Sequence, residues 1–598
     1  MSAYVAPLRD MKFVMTELAG LDQLVSLPGC EEVSADLVDA ILEEAGKLAS
    51  GVLAPLNASG DKEGARWEQG EVKTAAGWSE AYRQYVEGGW SSLACEPEYG
   101  GQGLPKLVAT AVMEMWKAAN MAFSLCPMLT NGAIEALTLK GTDEQKAIYL
   151  PRMVSGEWTG TMNLTEPQAG SDLAAVRTRA EPQADGSYKI FGQKIFITYG
   201  EHDLTANIIH LVLARLPDAP EGVKGISLFV VPKFLVNADG SLGARNDVHC
   251  VSIEHKLGIH ASPTAVLAFG DRGGAIGHLV GEANRGLEYM FIMMNEARFA
   301  VGMEGIALSE RAYQQALAYA KDRVQGTELG VRGGPKVAII HHPDVRRMLM
   351  SMKSQTEAMR ALAYVVAGAN DVAHRHPDPA QRAAKQAFVD LMIPVVKGWS
   401  TENATEIAST GIQIHGGMGY IEETGAAQHF RDARITSIYE GTTAIQANDL
   451  IGRKMAREQG LTMKAVIGLM RAVAAETGDL PNVEGPVIAA ALGHGIDALE
   501  RAAGYLVTTY GVDIKSAHVG SVPMLKLLGI VAGGWQMARS AVAAQRHLTD
   551  GDGDTAFYRA KLVTARFYAD HILPQAAALA HTVVHGAPGA LGLAEDQF

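Results

Sequence analysis

YKIFGQKIFITYG, residues 188–200, sets Ile195 and Ile197 against Phe196 and Thr198 in strict alternation. A period of two in β-branched and aromatic residues reads as an ordinary half-buried strand. It has company downstream: NIIHLVLARL (207–216), GISLFVVPKFL (225–235), VHCVSIEHKLG (248–258) and TAVLAFG (264–270) have the same character, with Gly, Pro, Asp and Asn turns between them. Residues 156–281 are therefore expected to form a middle β domain.

On both sides the period lengthens to that of a helix. Upstream, DLVDAILEEAGKLASGVL (36–53) and KLVATAVMEMWKAANMAF (106–123) carry apolar residues at helical spacing, with PEYGGQGLP (97–105) interrupting, so residues 1–155 read as a helical domain. Downstream, the segments 288–323 and 344–370 predict long bundle helices within a third domain, 282–456. Beyond Arg457 come four alanine-rich helical stretches broken at GDLPNVEG, GVDIKSAHVGSVP and LTDGDGDT. Residues 457–598 are expected to form an appended helical domain. The fold class is thus α+β, with no internal repeat of fixed period.

Composition removes several function classes. At 598 residues the chain is too long for one hydrophobic core. With 52 basic and 66 acidic residues its net charge is −14, and no run of Lys and Arg offers a footprint for nucleic acid or anionic lipid. Cys30, Cys95, Cys126 and Cys250 lie far apart, which speaks against a zinc site or a disulfide framework and fits a reducing cytoplasm. No metal is expected. The first twenty residues contain acids and lack an apolar signal core, and VPMLKLLGIVAGGW (522–535) is too short to span a bilayer, so neither secretion nor membrane insertion is expected. The sequence has no Gly-x-Gly-x-x-Gly after a strand, no phosphate-binding Gly-x-x-x-x-Gly-Lys, no His-Glu-x-x-His and no Gly-x-Ser-x-Gly.

Four other segments carry candidate chemistry. In MNLTEPQAGSDLAAVRTRAE (162–181), small and hydroxyl residues allow backbone amides to approach a polar ligand, or simply build a surface turn. GQKIFITYGEHD (192–203) contains the strand already described. QIHGGMGYIEETG (413–425) holds a glycine turn that doubles as a helix C-cap. IYEGTTAIQ (438–446) places Glu440 beside Gly441 and two threonines, where a carboxylate either serves chemistry or complements a helix N-terminus. Two arginines are ambiguous in the same way. Arg323 ends a long helix, where it suits the dipole, and Arg298 stands beside Glu296, where it reads as a solvated charge.

Taken in order, these four segments resemble the acyl-CoA dehydrogenase family, over about residues 35–455. The resemblance implies an N-terminal helical domain, a β-barrel-like middle domain and a C-terminal four-helix bundle, and it implies FAD. Leu164, Thr165, Gly170, Phe196, Ile197, Thr198, Arg323, Thr442 and Thr443 stand where the family holds that cofactor. Gln413, Gly416 and Gly417 match a glycine turn that the family lends to the neighbouring subunit's FAD, which implies a homodimer or larger assembly. Ser171, Asn295, Arg298 and Gly441 match positions near the acyl-CoA. Phe196 replaces the commoner Trp, and Val324 and Pro343 stand where relatives often carry Lys and Gln, so the cofactor's surroundings differ there.

The implied reaction is α,β-desaturation of an acyl-CoA thioester. It needs a base for the α-proton and an acceptor for the β-hydride; Glu440 matches the base and the flavin the acceptor. An electron-transferring flavoprotein is the implied electron acceptor. The appended region is typical of relatives of about six hundred residues, and YVAPLRDMKFVMTEL (4–18) looks like the opening of those that oxidise 3-methylthiopropanoyl-CoA. Other expectations stay open: a medium- or long-chain fatty acyl-CoA dehydrogenase, a nucleic-acid-binding flavoprotein of the same fold, or a catalytically silent scaffold.

Overall fold

The computed structural model describes residues 3–237, 239–551 and 553–598; Asp552, inside the expected break at LTDGDGDT, and the first two residues of the expected first domain lie outside them. The chain divides into two compact units, one made of Lys47–Leu104 with Ala119–Ala300, the other of Met1–Gly46, Pro105–Ala118 and Val301–Phe598.

The first unit is built on one sheet of eight strands: β1 Trp158–Asn163, β2 Arg179–Pro182, β3 Tyr188–Thr198, β4 Asn207–Arg215, β5 Ile226–Pro232, β6 Val248–Ile253, β7 Thr264–Phe269 and β8 Ala275–Leu279. The order is β6-β7-β3-β8-β5-β4-β1, and β2 bridges β3 to β4. That bridge closes β3, β8, β5, β4 and β2 into a ring, a barrel-like arrangement that leaves those strands without a free edge. The eleven-residue β3 serves both parts of the sheet: Tyr188–Ile190 pair with β8, while Gly192–Thr198 pair with β7. The corner falls at Gly192, at φ +151°, where a Cβ would lie 2.5 Å from Thr178 Oγ1. Val212, Phe229, Val231, Ile190, Leu267 and Phe269 fill the core.

All five strands expected from the alternating runs are present, and this sheet has three more that no such run announces; outside it, Arg66–Glu68 and Glu71–Lys73 form a short hairpin within the segment expected to be helical. Trp158–Asn163 reads WTGTMN, without alternation, because it is buried along its whole length and pairs in parallel with β4. Behind it, Thr159 and Thr161 hydroxyls meet the imidazoles of His202 (Nε2, 2.9 Å) and His210 (Nδ1, 2.7 Å). Burial holds both histidines neutral, with pKa values pushed down to about 3.

The second unit is helical. Helices Pro343–Arg375 and Pro379–His415 pack as a hairpin; Asp378 caps the second by accepting from Ala380 N (2.9 Å), with Pro379 at its first position. Helices Leu461–Gly478, Glu484–Thr509, Ser521–Asp550 and Thr555–His571 belong to the same unit, and Ser521–Asp550 lies against both members of that hairpin. The segment expected only as a break, GVDIKSAHVGSVP, contains a short helix, Ile514–Val519, started by Asp513, whose side chain accepts from Ser516 N (3.1 Å). The last expected stretch divides at Leu573–Pro574 into Thr555–His571 and Gln575–His585.

A buried charge cluster ties the unit's segments together. Arg360 donates to Glu114 Oε1 (2.6 and 2.8 Å), Glu310 Oε2 (2.7 Å) and Asp10 Oδ2 (2.7 Å), and Lys561 donates to Glu357 Oε2 (2.8 Å) and to Asp10. Residues from the N-terminus, the central helices and the C-terminal region thus compensate one another's charge, the condition for burying it. Among the described residues no helix is long and apolar enough to cross a membrane.

Candidate functional site

In the sheet unit, the loop after β1 is pinned from below by two residues that the motif reading passed over. Lys194, on β3 and fully buried, donates to Leu164 O (3.0 Å) and to Glu166 Oε1 (2.8 Å). The Glu166 carboxylate also accepts from Thr178 Oγ1 (2.6 Å), Thr178 N (3.1 Å), Arg177 N (2.8 Å) and Gln168 Nε2 (2.6 Å). Burial works to raise its pKa, but the Lys194 charge and these donors outweigh that and bring it down to about 2. Burial in turn lowers the Lys194 ammonium to about 8, against the pull of Glu166. Paired backbone bonds between Glu166 and Ala169, 3.0 Å each way, close the turn, and Ile195 N donates to Thr165 O (2.9 Å). Leu164 and Thr165 therefore sit beside β3, with Gly170 and Ser171 at the exposed end of the loop. Among the described residues, its chain neighbours aside, nothing lies within 4 Å of a Cβ built on Gly170, so packing alone does not demand a glycine there.

The expected plain alternation in β3 is broken at the residues of interest. Ile197 faces Ala265 and Lys194 faces Leu267, which leaves Ile195 and Phe196 opposite Val266 alone, a β-bulge. Phe196 has φ +60°, outside the comfortable range for an aromatic residue, and the residue is 58 % exposed, while Ile197 is buried and Thr198 half-buried. A left-handed residue in a bulge turns its side chain away from the course of the strand, and bulges of this kind gather beside active sites. Farther along, on helix Gly286–Asp322, Arg298 Nη1 donates to Asn295 Oδ1 (3.3 Å), with its guanidinium carbon 5.7 Å from the Phe291 ring centroid. Arg298 is 4 % exposed, so the reading of it as a solvated charge does not hold.

In the helical unit, Arg323 is exposed just past the end of helix Gly286–Asp322, and its carbonyl accepts from Ile339 N (2.8 Å). Gln413, near the end of helix Pro379–His415, lines a polar cavity of about 290 Å³ with Arg347, Ser351, Ser409 and Thr410. Gly416, at φ +61°, caps that helix, and Gly417 next to it has open space where a Cβ would sit. The C-cap reading is therefore realised at Gly416, while packing among the described residues does not require Gly417 to be small.

Glu440 lies ahead of helix Thr443–Asp449 and outside its first turn, with φ +53°, followed by Gly441 at φ +91°. A helix-start carboxylate would sit in the first turn; here Thr442 is the N-cap, accepting from Ile445 N (3.3 Å). Thr443 is buried, its hydroxyl donating to Glu402. Glu440 and its two chain neighbours are each tied down. Tyr439 donates to Glu304 Oε2 (2.5 Å), Gln446 Nε2 donates to Glu440 O (3.2 Å), and Lys397 Nζ donates to Gly441 O (2.7 Å).

Descriptions of the acyl-CoA dehydrogenase N-terminal, middle and C-terminal domains match residues 38–157, 161–271 and 284–455, and an acetyl-CoA dehydrogenase C-terminal-like domain matches 466–594. The chain belongs to the acyl-CoA dehydrogenase family, a family of oxidoreductases. It is 51 % identical over 577 residues to the 3-methylmercaptopropionyl-CoA dehydrogenase of Ruegeria pomeroyi, covering 96 % of this chain and 97 % of that protein. It is 38 % identical over 595 residues to the broad-specificity linear acyl-CoA dehydrogenase FadE5 of Mycobacterium tuberculosis, covering 96 % of each. An acyl-CoA dehydrogenase from Bacillus anthracis, solved with FAD, has the same fold at a TM-score of 0.74 and 20 % identity, over 96 % of this chain and 92 % of that one.

Proposed function

We propose that the chain is an FAD-dependent dehydrogenase of short acyl-CoA thioesters, with 3-methylthiopropanoyl-CoA as its substrate and Glu440 as its catalytic base. The substrate assignment rests on the 51 % identity to the Ruegeria enzyme across nearly the whole of both chains. The observation that carries the base is the backbone at Glu440. A non-glycine residue held left-handed costs free energy, and such strain persists where a side chain must be aimed.

The chain's residues suit a flavin. Phe196 presents an exposed aromatic face from a bulge, Ile197 and Thr198 flank it, and Leu164 and Thr165 offer backbone amides and a hydroxyl beside β3. Packing among the described residues does not require Gly170 or Gly417 to be small. In this reading Leu164, Thr165, Gly170, Phe196, Ile197, Thr198, Arg323, Thr442 and Thr443 hold FAD, and Gln413, Gly416 and Gly417 serve the FAD of a second copy. When bound, the flavin supplies the acceptor for the β-hydride. Ser171, Asn295, Arg298 and Gly441 contact the thioester, and Glu440 removes the α-proton. Reoxidation by an electron-transferring flavoprotein, a homodimer as the smallest active assembly, a cytoplasmic location and the division at 155, 281 and 456 are parts of the same proposal.

The test is anaerobic mixing of the purified yellow protein with a panel of acyl-CoA thioesters. Fastest bleaching by 3-methylthiopropanoyl-CoA is expected; preference for longer linear chains would replace the substrate assignment, and no bleaching by any thioester would overturn the function. Sedimentation should show no active monomer.

A further inference from the structure

Glu440 is the middle residue of three that are fastened individually. On one side, the Tyr439 hydroxyl donates to Glu304 Oε2 at 2.5 Å, and Glu304 Oε1 is held in turn by Lys117 Nζ at 3.0 Å; Lys117 and Glu304 have no exposed surface. On the other, Lys397, also without exposed surface, drives its ammonium onto Gly441 O at 2.7 Å from helix Pro379–His415. Gln446 Nε2 reaches both carbonyls between them, Glu440 O at 3.2 Å and Gly441 O at 3.4 Å. Gly441, at φ +91°, holds a backbone conformation that L side chains rarely adopt, and a Cβ there would push Gln446 Nε2, 2.6 Å away, out of its place.

A buried lysine and a buried Lys–Glu pair are costly ways to stabilise a fold, because apolar residues of the same volume do as well or better. Lys397, bonded to the strained turn itself, and the Lys117–Glu304 pair behind the Tyr439 hydroxyl point to placement of the residue the turn carries. We propose that Lys397 and Tyr439 are positioning residues for Glu440. From opposite sides, they fix the left-handed Glu440–Gly441 turn and thereby set the direction in which the carboxylate leaves the backbone. Lys117 and Glu304 act one step behind, by holding the Tyr439 hydroxyl. The inference rests on the reading of Glu440 as the base. In catalysis, a misplacement of about 1 Å at a reacting group costs on the order of 10²-fold in rate, so loosening either fastening should slow proton abstraction without weakening substrate binding.

The experiment compares Lys397→Met, Tyr439→Phe and Glu440→Gln, each as the flavin-loaded full chain, in single-turnover anaerobic bleaching by 3-methylthiopropanoyl-CoA or whichever thioester proves best. Lys397→Met is expected to lower the limiting bleaching rate at least about tenfold and Tyr439→Phe about three- to tenfold, each with the half-saturating thioester concentration within about twofold of the parent. Added to Glu440→Gln, neither change should slow the reaction further, because both act through Glu440. A Lys397→Met or Tyr439→Phe variant that bleaches at the parent rate while Glu440→Gln is inactive overturns the positioning role and leaves the base in place. Normal bleaching by Glu440→Gln instead overturns the base, and the positioning with it. Should Lys397→Met lose its flavin, Tyr439→Phe decides: a parent-like rate overturns the inference. A rise in half-saturating concentration with an unchanged limiting rate contradicts it as well, by making these groups part of binding.

Discussion

The loop at Leu164–Asp172 and the turn at Tyr439–Gly441 are both held by a lysine with no exposed surface that donates to a backbone carbonyl, Lys194 to Leu164 and Lys397 to Gly441. They differ in what else is fastened. Lys194 also grips Glu166, whose carboxylate collects four further donors, so the loop sits on a compensated ion pair. At the other turn the residue kept in place is itself ionisable. The first arrangement fixes a loop backbone on a compensated charge, and the second, in the proposed reading, aims a base from a left-handed glutamate.

Breaking the ion pair under the loop should have the largest effect on stability. Lys194→Met strands the Glu166 charge in the interior and is expected to cost about 3–5 kcal/mol in denaturant unfolding, together with the flavin; adding Glu166→Gln should recover much of the loss. If the single change is harmless, the loop is not held as described.

Acid should also strike the sheet unit. His202 and His210 have folded pKa values near 3 against an ordinary 6.5, so their neutral forms contribute stability that is fully present above pH 6.5 and lost as the pH falls toward 3. Glu166, at about 2 against 4.5, adds a contribution present above pH 4.5 and lost between 4.5 and 2. Unfolding measured against pH should therefore steepen below 6.5, and His210→Gln should flatten the upper part of that curve. A curve flat from pH 7 to 4 would contradict the burial argument.

Smaller effects sharpen the contrast. Thr442→Ala removes an N-cap and should cost about 0.5–2 kcal/mol. Phe196→Gly suits a φ of +60° and should change stability by less than about 1 kcal/mol, yet it removes the exposed ring and should weaken flavin retention, measured by dialysis and absorbance. Equal flavin retention in parent and variant would remove Phe196 from the cofactor site.

Much of this was legible in the chain. The strands at 207–215, 226–232 and 264–269 announce themselves because buried β-branched runs leave little else they can be. Glu440, Thr165 and the glycine turn are candidates that local motifs single out. What escaped depends on pairing across distance. The Phe196 bulge exists only relative to Val266, on another strand, and a period-two reading sees alternation there. Lys194 and Glu166 stand 28 residues apart, and Lys397 and Gly441 stand 44 apart, so no local signal joins them. A lysine inside an otherwise apolar helical stretch, as at VVKGW (395–399), was the one available hint.

The central claim is that Glu440 is aimed to take a proton. Glu440→Gln keeps the shape of the side chain and removes its capacity as a base, so anaerobic stopped-flow bleaching tests it most directly. The account predicts a normally folded, flavin-loaded variant that binds the thioester while its bleaching rate falls by at least roughly 10²–10⁴-fold. Bleaching at the parent rate would show that the base lies elsewhere and that the strained turn at 439–441 serves the fold alone.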